Sequence, residues 1–179
     1  ADQKKRVKTG QDWLDGALRQ WRDAVLMEGS ARFCDWENLP ECARDMVVDD
    51  KLGEEIFATW ESVFLRLSSG DIDESEYLTI RNSFEHERAL RWFKQYLTEH
   101  YPLEEARKLL QRYPSFRPVP HYYVGYRIFS EILQAGGKSQ VFYAMLHPDE
   151  LLDIYHEMIN DNNSAPQLSR EMVARWSGL

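Results

Sequence analysis

Cysteine is nearly absent from this chain: Cys34 and Cys42 are its two thiols in 179 residues. They allow one local disulfide, so the fold cannot be a disulfide scaffold, and with no histidine near them they make a poor metal site. Long apolar runs are also missing. Nothing approaches the roughly 20 residues needed to cross a bilayer, and Ala1 to Thr9 is basic and polar with no apolar stretch behind it. Neither a membrane span nor a retained signal peptide is expected. A start at Ala1 fits removal of Met, cleavage after a secretory signal, or a piece of a longer chain. Positive charge is scarce: 22 Lys and Arg against 30 Asp and Glu give a net charge of −8. That balance repels phosphate backbones and anionic lipid head groups, which argues against a nucleic-acid partner. Chemical motifs are few. The chain has no glycine-rich phosphate loop, no nucleophile elbow and no Cys-x-x-Cys pair. A di-iron bundle needs paired Glu-x-x-His steps, and Asp153-x-x-His156 is a lone aspartate variant.

What the chain has in quantity is material for a core, with 43% hydrophobic and 13% aromatic residues. Disorder is therefore excluded. The apolar residues recur mainly at helical spacing. Leu14, Leu18, Trp21 and Val25 step by three or four from Thr9-Gly10, and Leu52, Ile56, Trp60, Val63 and Leu67 do so up to Ser68-Ser69-Gly70-Asp71. A third long helix is predicted from about Glu74 to His100, stopped by Tyr101-Pro102, and a shorter one from Leu103 to Arg112. Three prolines in Tyr113 to Pro120 make that stretch an extended connector between helical parts at 11–112 and 121–177. Beyond it, helices are predicted from His121 to about Gln134, closed by Gly136-Gly137, then at Gln140 to Leu146, Pro148 to about Ile159, and from about Ser169. No period-two alternation is sustained and no repeat is found. The expectation is an all-α, irregular multi-helix domain with at most a minor strand pair.

One residue breaks the first stripe. A step of three beyond Val25 lands on Glu28, a carboxylate where an apolar side chain is expected, and a buried carboxylate needs a partner or a cation. Two readings stand: a functional carboxylate, or a helix that ends near Gly29 and leaves Glu28 exposed or bridged to Arg32. The segment Met27-Glu28-Gly29-Ser30-Ala31-Arg32-Phe33 resembles the Glu-Gly-x-Ala segment of gluzincin metallopeptidases, particularly the group known as predicted zinc-dependent proteases. A second segment, Pro120-His121-Tyr122-Tyr123-Val124-Gly125-Tyr126-Arg127-Ile128, looks like the opening of the C-terminal helix in the same enzymes, and the stretch to about Ile159 continues similarly. The resemblance implies that Glu28 is a third zinc ligand. It also implies that small residues after Glu28 let its helix approach the metal-bearing helix closely, and that a His or Tyr from the second segment donates to the oxyanion of the tetrahedral intermediate. Tyr122, Tyr126, Phe129 and Leu133 form a helical stripe suited to core packing, so His121 and Tyr123, which fall off it, are the candidates for the cleft. The two segments should then line one cleft, with water, Arg32 or a Tyr hydroxyl beside Glu28.

The chain also departs from that family. A gluzincin needs His-Glu-x-x-His upstream of the ligand Glu, two imidazoles one turn apart for the metal and a carboxylate for its water. Only 27 residues precede Glu28 and none is His. His86-Glu87-Arg88-Ala89-Leu90 has Leu in place of the second His and follows Glu28, so a turn of a long solvated helix explains it. Zinc is expected in an intact parent and none in this chain alone, with a peptide or protein as partner. The alternative is a helical interaction module without catalysis, suggested by six Trp and nine Tyr in an acidic chain.

Overall fold

A computed structural model describes residues 10–34, 38–114, 119–160 and 165–179. Residues 1–9, 35–37 between the cysteines, 115–118 within the stretch expected to be a connector, 161–164, and the side chains of Gln11, Arg32 and Val47 lie outside the described residues. The chain is all-α, with nine helices and no strand among those residues. In order they are α1 (Gly10–Cys34), α2 (Glu41–Val47), α3 (Asp50–Ser68), α4 (Glu74–Glu85), α5 (Glu87–His100), α6 (Leu103–Arg112), α7 (Pro120–Leu146), α8 (Leu151–Met158) and α9 (Arg170–Ser177). No helix among them is long and apolar enough to cross a membrane.

Local chemistry explains most boundaries. Asp49 accepts from the Leu52 amide at 2.7 Å to open α3, Asp73 does the same for Glu76 at 2.8 Å in α4, and Ser169 for Met172 at 3.1 Å in α9. Each cap satisfies an amide that the first turn leaves unpaired. The expected single helix from Glu74 to His100 is instead two, broken at His86, whose φ of −126° and ψ of −76° leave the helical region. The break lets Phe84, on one side, and Ala89 and Trp92, on the other, all reach the interior. Within α7 the predicted stop appears as a kink: Gly137 takes φ 73°, which a residue with a Cβ rarely adopts. The short α2 carries too little pattern to be read in sequence.

The centre is aromatic. Trp21 of α1 stacks on Trp60 of α3 at 6.4 Å, and Trp60 meets Trp176 of α9 at 5.9 Å. All three indoles are almost fully buried. Burial on this scale contributes about 25 cal/mol for each Å² of apolar surface removed from water. Trp176 also satisfies its N–H, donating to the Pro148 carbonyl at 2.8 Å, and so ties the terminal helix to the loop before α8. Cys34 is exposed and Cys42 buried, and they do not pair.

The most extensive helix–helix contact brings α1 against α7 from the far side of the connector. Its crossing point is Gly29 against Gly125. A Cβ on Gly125 would lie 2.6 Å from the Gly29 Cα, and one on Gly29 would lie 2.8 Å from the Gly125 carbonyl carbon. Only two glycines let the backbones touch there. The helix therefore does not end near Gly29. The apolar stripe steps by four from Val25 to the buried Gly29, not by three to Glu28, and α1 continues to Cys34.

Candidate functional site

The α1–α7 crossing positions a cleft of about 690 Å³ bounded by α1, α4, the α4–α5 break and the start of α7. Glu28 sits on its α1 rim, exposed, one residue before the glycine crossing. His121 is on its wall, one residue into α7. The two segments singled out in sequence thus meet at one cleft. Tyr123 does not join them. Helical rotation turns it to the opposite side of α7, where its ring is buried and its hydroxyl donates to the Asp49 carbonyl at 3.1 Å. The cleft position falls to Tyr122, half-buried beside His121, although it lies on the stripe assigned to the core. The reason is physical: α7 is buried almost all round from His121 to Phe129, so its pattern carries no polar face to orient it.

Burial sets the state of Tyr123 and His121. Tyr123 has its hydroxyl pushed far above the usual tyrosine range, by burial first, and stays a neutral donor. Replacing it with Phe should cost about 1 kcal/mol in urea unfolding, the net worth of one ordinary hydrogen bond. The Asp49 carbonyl keeps its bond from the Gly53 amide at 2.9 Å, so a larger loss is not expected.

His121 is 8% exposed, and its ring meets Trp21 edge-on at 4.5 Å. Burial, with a smaller push from the Arg81 guanidinium, lowers its pKa to about 3. The imidazole is therefore neutral near pH 7. Its Nδ1 lies 3.2 Å from the Trp60 indole nitrogen. An indole N–H can only donate, so Nδ1 must accept and the ring's one proton must sit on Nε2. The His121 ring is therefore a neutral imidazole with its proton on Nε2. No hydrogen bond of Nε2 is found among the described residues.

The rim is mostly acidic. Asp23, Glu28 and Glu85 line the cleft with Arg81. Arg81 is committed: its Nε lies 2.9 Å from Glu85 and it donates to Gln20 of α1 at 3.2 Å, bracing α4 against α1. Glu28 has no ion-pair partner among the described residues. His86, from the lone His-Glu pair, also reaches the cleft because the helix breaks there.

As a zinc site these residues are incomplete. No group of three or more His, Cys, Asp or Glu side chains that could hold a metal ion occurs among the described residues. His121 cannot ligate a metal through Nε2 without moving its proton to Nδ1 and giving up the bond from Trp60. The family resemblance supplies one candidate ligand, Glu28, where three or four are needed.

No family model, curated protein or solved structure matches the chain. The site must be read from its own chemistry.

A second recess, bounded by Asp49, Glu55, Glu99 and His100, offers less. The His100 ring nitrogens lie 2.9 Å from the Tyr96 carbonyl and 3.4 Å from the Asp49 carboxylate. Both are engaged. On the buried side of α7, Arg127 lies 3.4 Å from Glu131 of the same helix and 3.1 Å from the exposed carboxylate of Asp50, which joins α7 to α3.

Proposed function

We propose that this chain is the C-terminal helical part of a gluzincin-like zinc metallopeptidase, inactive by itself because its metal motif is missing. In the intact parent Glu28 would serve as the third zinc ligand and His121 as the donor to the oxyanion of peptide hydrolysis. One observation carries the reading: Glu28 and His121, far apart in sequence, border the same cleft. One further feature supports it: His121 is a neutral imidazole with its proton on Nε2, the form that oxyanion stabilisation needs. Tyr123 has no part in this proposal, since its hydroxyl faces the core.

Purified alone, the chain should bind zinc no better than about micromolar and leave casein uncut, because one carboxylate cannot replace a ligand set. Stoichiometric zinc after dialysis, together with casein hydrolysis, would overturn that expectation. The codons upstream of Ala1 offer a separate check. A His-Glu-x-x-His within about 100 residues supports the reading; its absence from the whole upstream frame contradicts it.

A second reading, a helical interaction module, draws on Phe142 and Leu146. These residues lie four apart on α7 beyond the Gly137 kink, and both are largely exposed. Two large apolar groups on one helical face suit a protein contact. Serine at both positions should abolish partner binding under this reading and leave zinc content of the intact product unchanged under the first.

A further inference from the structure

A groove of about 540 Å³ opens between α3 and α4, with Arg88 of α5 also lining it, and it shares no lining residue with the cleft of Glu28 and His121. Its lining reverses the charge of the chain. Arg66 and Arg88 line it together with four hydroxyl side chains, and no carboxylate does, although the chain as a whole carries a charge of −8. The three helices that supply the lining are described throughout, side chains included, so the partners of each group can be named.

Arg88 is the cation left over. Arg66, Arg81 and Arg175 lie 2.6 to 2.9 Å from the carboxylates of Glu76, Glu85 and Glu171. Arg88 has no ion pair or hydrogen bond among the described residues; rings alone hold its half-buried guanidinium, 5.2 Å from the centre of Phe84 and 6.0 Å from that of Trp92. Glu55, one turn before Thr59 on α3, is taken by the Trp92 indole at 2.8 Å. The N–H fork of Arg88 is thus left for an incoming oxyanion, and its planar geometry fits phosphate. Charges elsewhere on the chain do not prevent this, because at physiological salt they are screened beyond about 8 Å.

The hydroxyls divide into donors and acceptors. Ser62 and Ser83 make no hydrogen bond among the described residues, so both are able to donate, and Ser83 directly precedes the ring that Arg88 covers. Thr59 and Thr79 already give their protons to the Glu55 and Ser75 carbonyls, at 2.8 and 2.9 Å, and offer a ligand only an accepting oxygen. A ligand matched to both sets carries an oxyanion and hydroxyl groups of its own. We propose that this groove binds the phosphate monoester of a polyol, the phosphate against Arg88 and Ser83 and the hydroxyls of the body donating to Thr59 and Thr79.

The test is an NMR titration of the chain, labelled with ¹⁵N, at pH 7 in physiological salt. The probes are glycerol phosphate, inorganic phosphate, glycerol and acetyl-phosphoserine amide. Glycerol phosphate, at up to about 10 mM, should shift the amides of Ser62, Ser83 and Arg88, since a small ligand with one charged contact and a few hydrogen bonds binds at millimolar strength. Inorganic phosphate and acetyl-phosphoserine amide, which lack the polyol hydroxyls, should bind about fivefold more weakly, and glycerol should shift nothing. Arg88→Met keeps an unbranched stem over Phe84 and removes the charge; it should weaken glycerol phosphate at least about tenfold. Thr79→Val, an exposed change on α4, should weaken glycerol phosphate about threefold and leave inorganic phosphate unchanged, and it carries the test alone if Arg88→Met does not fold. No shift from glycerol phosphate, equal binding of the three phosphates, or full binding by either variant would overturn the proposal. None of these outcomes bears on the metallopeptidase reading, which has its own test on the intact product.

Discussion

Gly125→Ala is expected to lower the unfolding free energy by about 3 kcal/mol, the upper part of the range for overpacking a close contact. The added methyl group would lie 2.6 Å from the Gly29 Cα and closer still to the Val25 carbonyl oxygen. These are backbone atoms, so no side chain can rotate away, and α1 and α7 must move apart along their whole contact. Alanine's better helix propensity returns at most about 1 kcal/mol. Gly16 provides the control. It lies in the same helix, and a Cβ there meets nothing within 4 Å. Gly16→Ala should stabilise by up to about 1 kcal/mol. Urea unfolding of the two variants checks the crossing directly, and equal behaviour would mean that the helices do not meet at Gly29 and Gly125.

The second large effect is acid sensitivity. Folded His121 has a pKa of about 3, against 6.5 for an ordinary histidine, mainly because burial penalises the imidazolium. Between those values the unfolded chain binds the extra proton and the folded chain does not. Stability is thus fully present above pH 6.5 and falls as the pH drops toward 3. At about 1.4 kcal/mol per pH unit, the loss across that window is on the order of 4 kcal/mol. The Trp60 bond acts in the same direction, since protonated Nδ1 could no longer accept it. His121→Gln should flatten this part of the profile while lowering stability at pH 7, where the Trp60 N–H would lose its acceptor. Unfolding free energy measured every half unit from pH 3 to 8 would show the slope. A variant profile parallel to the wild type would place the acid sensitivity elsewhere.

The all-α class and most helix positions were legible because the stripes from Leu52 to Leu67 and from Leu103 to Arg112 each have one apolar face, which has a single way to be buried. Other features were less legible because they depend on distant parts of the chain. At Val25 the pattern allowed steps of three or four, and the choice of Gly29 over Glu28 follows from Gly125, which packs there. The α4–α5 break at His86 has no proline or glycine to announce it; it arises from the need to bury Phe84 and Trp92 together. Sequence singles out His121 and Glu28, which border one cleft, but it puts Tyr123 in the cleft and Tyr122 in the core, the reverse of their places in the structure. An helix buried on every side gives no periodic signal to separate neighbours. Trp60 was read only as part of a core stripe, and its hydrogen bond to His121 joins residues that nothing in sequence links. Arg81 and Gln20 were missed for the same reason. A charged side chain on an amphipathic helix looks the same in sequence whether it meets water or braces a neighbouring helix.

The most direct measurement is the zinc content of the intact gene product, with and without Glu28→Gln. The account predicts about one zinc per chain in the wild-type protein, held by an upstream His pair together with Glu28. It predicts a drop of at least tenfold in zinc affinity for the variant, together with loss of peptidase activity. An intact product that carries no zinc, or a Glu28→Gln variant that keeps both its zinc and its activity, would contradict it.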